Sequence, residues 1–232
     1  MSLSARKIQI GRKTYRLNAV LVGWSLLLPS LAFMIFIFVI PLIQVISLSF
    51  SNFSMITGTG TNIGLRNYRY LLNNDRFWNA MFNTVKYAAF KLTVDTTLAL
   101  LIAVMLDRNI PGKRFLRASY FSPVVVPVVA SSLIWIWFYD PSVGPFNQIL
   151  SSLGLPTSRW LFHENTALLS ILIFSVWKGL GYNMILFLSG LQNIPDSYLE
   201  AARMDGATET EVLFKIKLPL LRPITSFIIM IG

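Results

Sequence analysis

Four stretches of this chain are apolar for roughly 20 to 28 residues at a time, long enough as helices to cross a hydrocarbon core about 30 Å thick. That block structure constrains the fold more than any motif. The apolar residues are not spread as stripes along amphipathic helices, and one large buried core helix could account for one such block but not for four. Only 13% of the 232 residues are charged and 54% are hydrophobic, against about 25% charged in an ordinary soluble domain. The expectation is an all-α integral membrane protein.

The spans read as about 19–48, 82–106, 118–138 and 166–191. A fifth run, 223–232, is too short to span as a helix, so the chain reads as cut off within it. Pro29 and Pro41 in the first span predict kinks or a late start, and Pro123 and Pro127 are expected to interrupt the third. Trp135, Trp137 and Tyr139 close the third span, where amphipathic rings would form an interfacial belt. The loop at 140–165 opens on the turn signal "DPSVGPFN".

Twenty Lys and Arg face ten Asp and Glu. In a soluble protein that balance would suggest nucleic acid. Here the cations alternate between loops. The tail, residues 1–18, carries Arg6, Lys7, Arg12, Lys13 and Arg16; the 107–117 loop carries Arg108, Lys113, Arg114 and Arg117; the 192–222 segment carries Arg203, Lys215, Lys217 and Arg222. The alternate loops hold Arg66, Arg69 and Arg76, and Arg159. Positive loops stay inside, so the tail and the 192–222 segment are expected on the cytoplasmic side of the membrane. With no cysteine, disulfides and thiolate metal sites are excluded. His163 stands alone, without a metal-binding cluster. No catalytic residue, metal ligand or cofactor is expected.

The segment "EAARMDGATETEVLFKIKLPLLRP", residues 200–223, is polar between two oily runs. Ser197 precedes Glu200 by three, and Thr208 precedes Glu211 by three; both fit the capping box that opens a helix. One helix is predicted from about Tyr198 to Asp205 and a second from about Glu209 to Lys217. Gly206 is placed to end the first and Pro219 to block continuation of the second. Half of the chain's acids lie here: Asp196, Glu200, Asp205, Glu209 and Glu211. Read alone, the segment is either a solvated interfacial loop or a rigid docking elbow.

The segment resembles the signature of permease subunits of binding-protein-dependent ABC importers: E-A-A, three residues, G, nine residues, I, one residue, L-P. Glu200, Ala201, Ala202, Gly206, Ile216, Leu218 and Pro219 occupy its positions, and Asp205 sits among them. The stretches "IGLRNYRYLLNNDRFWNAMFNT", "DPSVGPFNQILSSLG" and "VWKGLGYNMILFLSGLQNIPDSYLEAARMDGA" are similar to the sugar-uptake branch, of the maltose or glycerol-3-phosphate first-permease type. The resemblance implies a type I importer permease fold with six spans, of which four complete ones and the start of a fifth are present. It implies a heterodimer with a second permease, two ATPase subunits that bind the ATP, and an extracytoplasmic solute-binding protein. The 197–219 region would be the coupling segment seated on the ATPase. The solute would be a sugar, polyol or phosphate ester. A channel or passive facilitator is the alternative class, but it would need no ATPase-docking elbow. A membrane enzyme lacks a nucleophile, base or metal cluster.

Ionisable residues inside spans are candidate functional sites. Lys91 and Asp95 share a helix face in the second span, although Lys86 and Lys91 could equally snorkel to water. Lys178 lies deeper, in "WKGLGYN", and is expected either to pair with Asp95 or to face a polar cavity. Trp177, Lys178, Tyr182 and Asn183 are the candidate substrate path, carrying rings and amides suited to sugar hydroxyls. Gly179, Gly181 and Gly190 would allow close helix packing instead.

Overall fold

This computed structural model describes residues 7–10, 13–108 and 110–232, with side chains described from residue 19 onward. Arg6, Arg12 and Asn109 lie outside the described residues. The chain divides into two compact units, Met1–Trp78 and Asn79–Gly232.

In the first unit, β1 (Lys7–Ile10) and β2 (Lys13–Arg16) form an antiparallel hairpin with Lys7 opposite Arg16. The first span follows as α1 (Leu17–Met34), a π turn (Ile35–Val39) and α2 (Ile40–Ser49). Pro29 sits inside α1 without breaking it. Pro41 is met differently. In an α-helix its ring would clash with the carbonyl of residue 37, and its missing N–H would orphan that carbonyl. The π turn ends two residues earlier, with the amide of Ile40 donating to the carbonyl of Ile35, so the ladder changes register before the proline arrives. The polar loop beyond contains a second antiparallel hairpin, β3 (Ser51–Ser54) and β4 (Thr59–Asn62), turned at Gly58. The short α3 (Arg66–Leu72) is tied to the end of α2 by the Asn67 amide, which donates to the carbonyls of Ser49 (2.9 Å) and Ser51 (3.1 Å).

The second unit is built around two long helices, α4 (Asp75–Asp107, whose first residues precede the unit boundary) and α8 (Glu164–Gln192). Ala99, Ala103 and Leu106 of α4 are buried with Met184, Phe187, Leu188 and Leu191 of α8. Small side chains on one helix thus admit large ones from the other. The Tyr87 hydroxyl donates to Ser175 Oγ at 2.7 Å. The short apolar α12 (Arg222–Ile231) adds Ile228 to the core, and Leu221 just before it is also buried.

The third span is interrupted, as its prolines predict, but at only one of them. α5 (Lys113–Val125) and α6 (Val128–Phe138) meet at a 99° bend. Pro123 is accommodated inside α5, and the break falls at Pro127. Val126, forced out of the α region by the following proline, is extended at ψ 134°. Among the described residues three helices (Ala19–Ser49, Asp75–Asp107 and Glu164–Gln192) are therefore long and apolar enough to cross a membrane, plus this bent pair.

The expected aromatic belt is also corrected. Tyr139 is 1% exposed and Trp135 9%. Trp135 packs against Tyr139, Phe146, Phe174 and Trp177 with ring centroids 5.2–5.7 Å apart. Only Trp137 of the three remains largely exposed. These rings form the core under the following loop, where α7 (Pro145–Ser152) presents Asn147. The Asn147 amide donates to the carbonyls of Pro141 (3.0 Å) and Ser158 (2.8 Å), and its oxygen accepts from the Ser158 amide and the Trp160 indole. One buried side chain with every polar site satisfied latches both ends of the loop.

Candidate coupling segment and polar groups within the spans

The polar segment after α8 folds as two helices joined at a glycine. The first, α9 (Asp196–Met204), starts earlier than expected. Pro195 is its N-cap residue and no side chain caps it, so the expected Ser197–Glu200 capping box is absent. Ser197 already lies inside the helix. Proline supplies a fixed φ at the entrance and leaves the acid Asp196 in the first turn, where it complements the helix dipole.

The C-terminus of α9 is closed as expected. Gly206 has φ +83°. The amide of Ala207 donates to the carbonyl of Ala202 and that of Gly206 to the carbonyl of Arg203, both at 3.0 Å. These two bonds make a Schellman motif, and its left-handed residue favours glycine.

The second helix opens on a complete capping box. The Thr208 side chain accepts from the amide of Glu211, and the Glu211 carboxylate accepts from the amide of Thr208. α10 (Glu209–Val212) then passes through a π turn (Leu213–Lys217) into α11 (Leu218–Leu220). Pro219 therefore does not stop this helix at Lys217. The register shift is the one seen before Pro41: the amide of Leu218 donates to the carbonyl of Leu213, and the proline follows one residue later.

Lys215 grips the other oxygen of Glu211 at 2.8 Å. Together with the Thr208 contacts it holds the carboxyl well below its ordinary 4.5, at about 2. A lowered acid stabilises the fold above its ordinary pKa, and that contribution is lost as the pH falls from about 4.5 towards 2. The amide of Thr208 is expected to lose hydrogen-exchange protection across that window. Glu211→Gln, which keeps the box pattern without the charge, should show no such acid step.

The elbow has two faces. On one, a groove of about 450 Å³ is lined by Tyr198, Ala201, Ala202, Asp205, Ile216 and Pro219 among others. Five of these belong to the expected coupling set. Glu200 and Gly206 are exposed beside it, and Leu218 is half-buried. Among the described residues no hydrogen bond or ion pair engages the Glu200 carboxylate. Met204 (88% exposed) and Phe214 (62%) project from the same segment.

The other face is joined to the membrane helices. Lys217 Nζ bonds Asp107 Oδ2 at 2.8 Å, at the C-terminal end of α4. A cavity of about 500 Å³ lies beside this pair, between the elbow and the ends of α4 and α8, and is lined by residues including Asp107, Arg108, Gln192, Arg203, Glu209 and Lys217. Arg203 and Glu209 form a 3.0 Å pair across the Gly206 turn. That pair is solvent-exposed and contributes little by itself.

Within the spans, the four path candidates do not converge. Trp177 belongs to the aromatic cluster of Trp135. Tyr182 is exposed. Asn183 is buried and donates to Asp95 Oδ2 at 3.1 Å. Asp95 is itself 2% exposed, with Lys91 Nζ 3.8 Å away. Lys178 does not pair with Asp95. Its ammonium donates to the carbonyl oxygens of Pro123, at 2.5 Å, and Val126. Lys86 lies over the Phe82 ring, 4.2 Å from its centroid. The Lys178–carbonyl contacts and the Asn147 latch went unseen in the sequence. Prolines spaced by four at 123 and 127 were the available signal for the first.

Residues 95–232 match the model of the binding-protein-dependent transport system inner membrane component family. The chain belongs to this family. The matched region runs from Asp95 through the elbow, so the fold described above is that of an importer permease, a multi-pass inner-membrane transport subunit. Relatives of this permease include the probable ABC transporter permease protein YurN of Bacillus subtilis (strain 168), 34% identical over 203 residues, 86% of this chain and 69% of that protein. The trehalose/maltose transport system permease protein MalF of Thermococcus litoralis is 34% identical, over 88% of this chain and 69% of that one. The sn-glycerol-3-phosphate transport system permease protein UgpA of Agrobacterium fabrum is 33% identical over 73% of this permease and 58% of its own length. A bacterial alginate ABC transporter, solved in complex with an alginate pentasaccharide-bound periplasmic protein, contains a chain of the same fold. It superposes with TM-score 0.79 at 21% identity, covering 92% of this chain and 72% of that one.

Proposed function

We propose that this permease forms the translocation path of an ATP-driven importer for a sugar or a related polyol or phosphate ester. In that assembly it pairs with a second, different permease subunit. Two ATPase subunits sit on the cytoplasmic side and a solute-binding protein delivers cargo from outside. ATP is bound and split by the ATPase subunits, not by this chain. Glu200, Ala201, Ala202, Asp205, Gly206, Ile216, Leu218 and Pro219 form the ATPase-docking surface, and Trp177, Lys178, Tyr182 and Asn183 belong to the α8 stretch beside the path. The solute class is carried by the relatives, which include transport system permease proteins for trehalose/maltose, arabinooligosaccharides and sn-glycerol-3-phosphate.

The observation that carries the coupling role is the elbow itself. A helix closed by a Schellman glycine meets a helix opened by a full capping box. The connection is therefore fixed at both ends, while its groove and the exposed Glu200, Met204 and Phe214 stay available to a partner. A passive loop needs no such double closure.

The cation distribution supports a cytoplasmic N-terminus and a cytoplasmic elbow. The segments that flank α8 on its two sides provide the test. A single cysteine at Ser152 should react with an impermeant thiol reagent added to intact spheroplasts, and one at Thr208 only after the membrane is opened. Labelling at Thr208 in intact spheroplasts would reverse the orientation and remove the docking role. Purification from membranes should then recover the ATPase subunits and the second permease. Solute uptake by the reconstituted complex identifies the cargo.

A further inference from the structure

Lys178 lies midway along α8, where an ammonium is costly unless it is compensated. Among the described residues no carboxylate pairs with it. Its partners are the carbonyl oxygens of Pro123 and Val126, at the C-terminal end of α5 and the start of the 99° bend. In an uninterrupted helix the carbonyl of residue 123 would accept from the amide of residue 127. Residue 127 is proline and has no N–H. The carbonyl of Val126 leaves the helical register because its residue is extended. Both oxygens also stand at the negative end of the α5 dipole. Lys178 therefore supplies, from another helix, the donor that Pro127 removes.

We propose that Lys178 is the positioning residue of a hinge at Val126–Pro127, pinning the bend between α5 and α6 to α8. The position of α8 gives the pin its use. α8 is continuous to Gln192, and only residues 193–195 separate it from α9 of the elbow. Gly181, one turn beyond Lys178, is packed so closely on α5 that an added Cβ would lie 2.1 Å from the carbonyl oxygen of Tyr120. α5 is thus clamped to α8, and α6 bears on the same helix through Trp135, which packs against Phe174 and Trp177; the ammonium holds the two-residue break between these two segments. Displacement of the elbow along α8 changes the angle of α6. That last step rests on the coupling role proposed above; the pin does not.

The test uses the intact importer in lipid nanodiscs. The chain has no cysteine, so spin labels can be placed at Phe115 on α5 and Leu133 on α6, both well exposed. The wild-type permease should give one narrow label–label distance distribution, which shifts when ATP and loaded binding protein are added. Lys178→Met should broaden the resting distribution and abolish the shift. Uptake should fall at least about tenfold, the effect of losing a hydrogen bond to a charged group, with unchanged KM. Lys178→Arg, which keeps the donors, should retain the narrow distribution. If Lys178→Met fails to insert, adding Pro127→Ala returns an amide to the carbonyl of Pro123 and should restore insertion; failure to restore it overturns the pin. An unchanged distribution in Lys178→Met overturns it too, and a raised KM with unchanged distances would make Lys178 a solute contact instead. A wild-type complex with a narrow resting distribution but no shift would leave the pin standing and sink the coupling role.

Discussion

Gly181→Ala is expected to be strongly destabilising although it adds a single methyl group. A Cβ at this position would lie 2.1 Å from the carbonyl oxygen of Tyr120 and 2.9 Å from the Cα of Phe121. These are backbone atoms of α5 and cannot rotate away. The two helices must separate or slide, and the displacement reaches the Lys178 contacts three residues away. Overpacking of this kind costs roughly 1–3 kcal/mol or more, and in a bilayer no gain in apolar burial offsets it, because close helix contact is itself the driving force. Gly190 provides the graded comparison. Its Cβ would meet Ile224 Cδ1 at 2.1 Å and Leu221 Cδ2 at 2.7 Å, the far ends of side chains that can change rotamer. Gly23 has nothing within 4 Å, so alanine there should be neutral. Thermal melts of the purified permease in nanodiscs should order the variants Gly181→Ala, then Gly190→Ala, then Gly23→Ala, from most to least destabilised. Equal melting points for the first and last would mean that α5 and α8 are not in the observed contact.

The long helices were legible because their signal is length: an apolar run of membrane dimension has few other uses. The spans predicted at 82–106 and 166–191 appear inside α4 and α8, each extended at its ends by polar residues. The Thr208 box and the Gly206 terminus were legible because capping chemistry is local, set by residues three apart and by one backbone angle. What failed was whatever depended on a partner distant in the chain. Ser197 and Glu200 have the right spacing for a cap, but Pro195 starts the helix before them. A carboxylate is the usual partner of a cation within a span, but Lys178 serves backbone oxygens 55 and 52 residues away. Trp135 and Tyr139 carry the composition of an interfacial belt, yet α7 and α8 cover them. Residue-level rules make Pro41 a kink or a late helix start and Pro219 a stop. A π turn before each lets the helix run through, a register choice that no residue-level rule announces.

At Gly206 the expected effect falls on transport and leaves the fold in place. Its φ of +83° is closed to most side chains, while the space around it is open: a Cβ would meet nothing within 4 Å. Substitution there introduces backbone strain and no clash. For a β-branched residue that strain is on the order of 1–3 kcal/mol, comparable to what the Schellman bonds contribute. Gly206→Val should relieve it by releasing the Ala207–Ala202 and Gly206–Arg203 hydrogen bonds, which swings α9 relative to α10. The core of α4 and α8 contains no atom of this turn, so insertion and melting should change little. Asparagine visits the left-handed region far more readily than alanine or valine. Binding-protein-stimulated ATPase activity and uptake should therefore decline in the order Gly, Asn, Ala, Val, the last falling by roughly tenfold or more for a strain above about 1.4 kcal/mol. Glu200→Ala separates docking from geometry. Its carboxylate caps nothing in α9, so the variant should leave the elbow's hydrogen-exchange pattern intact and still weaken copurification of the ATPase. Full stimulation in both Gly206→Val and Glu200→Ala would make the segment a passive loop. Loss in the valine variant with full recovery in the asparagine variant assigns the effect to the angle at Gly206, because asparagine is as bulky as valine and differs chiefly in the backbone conformation it tolerates.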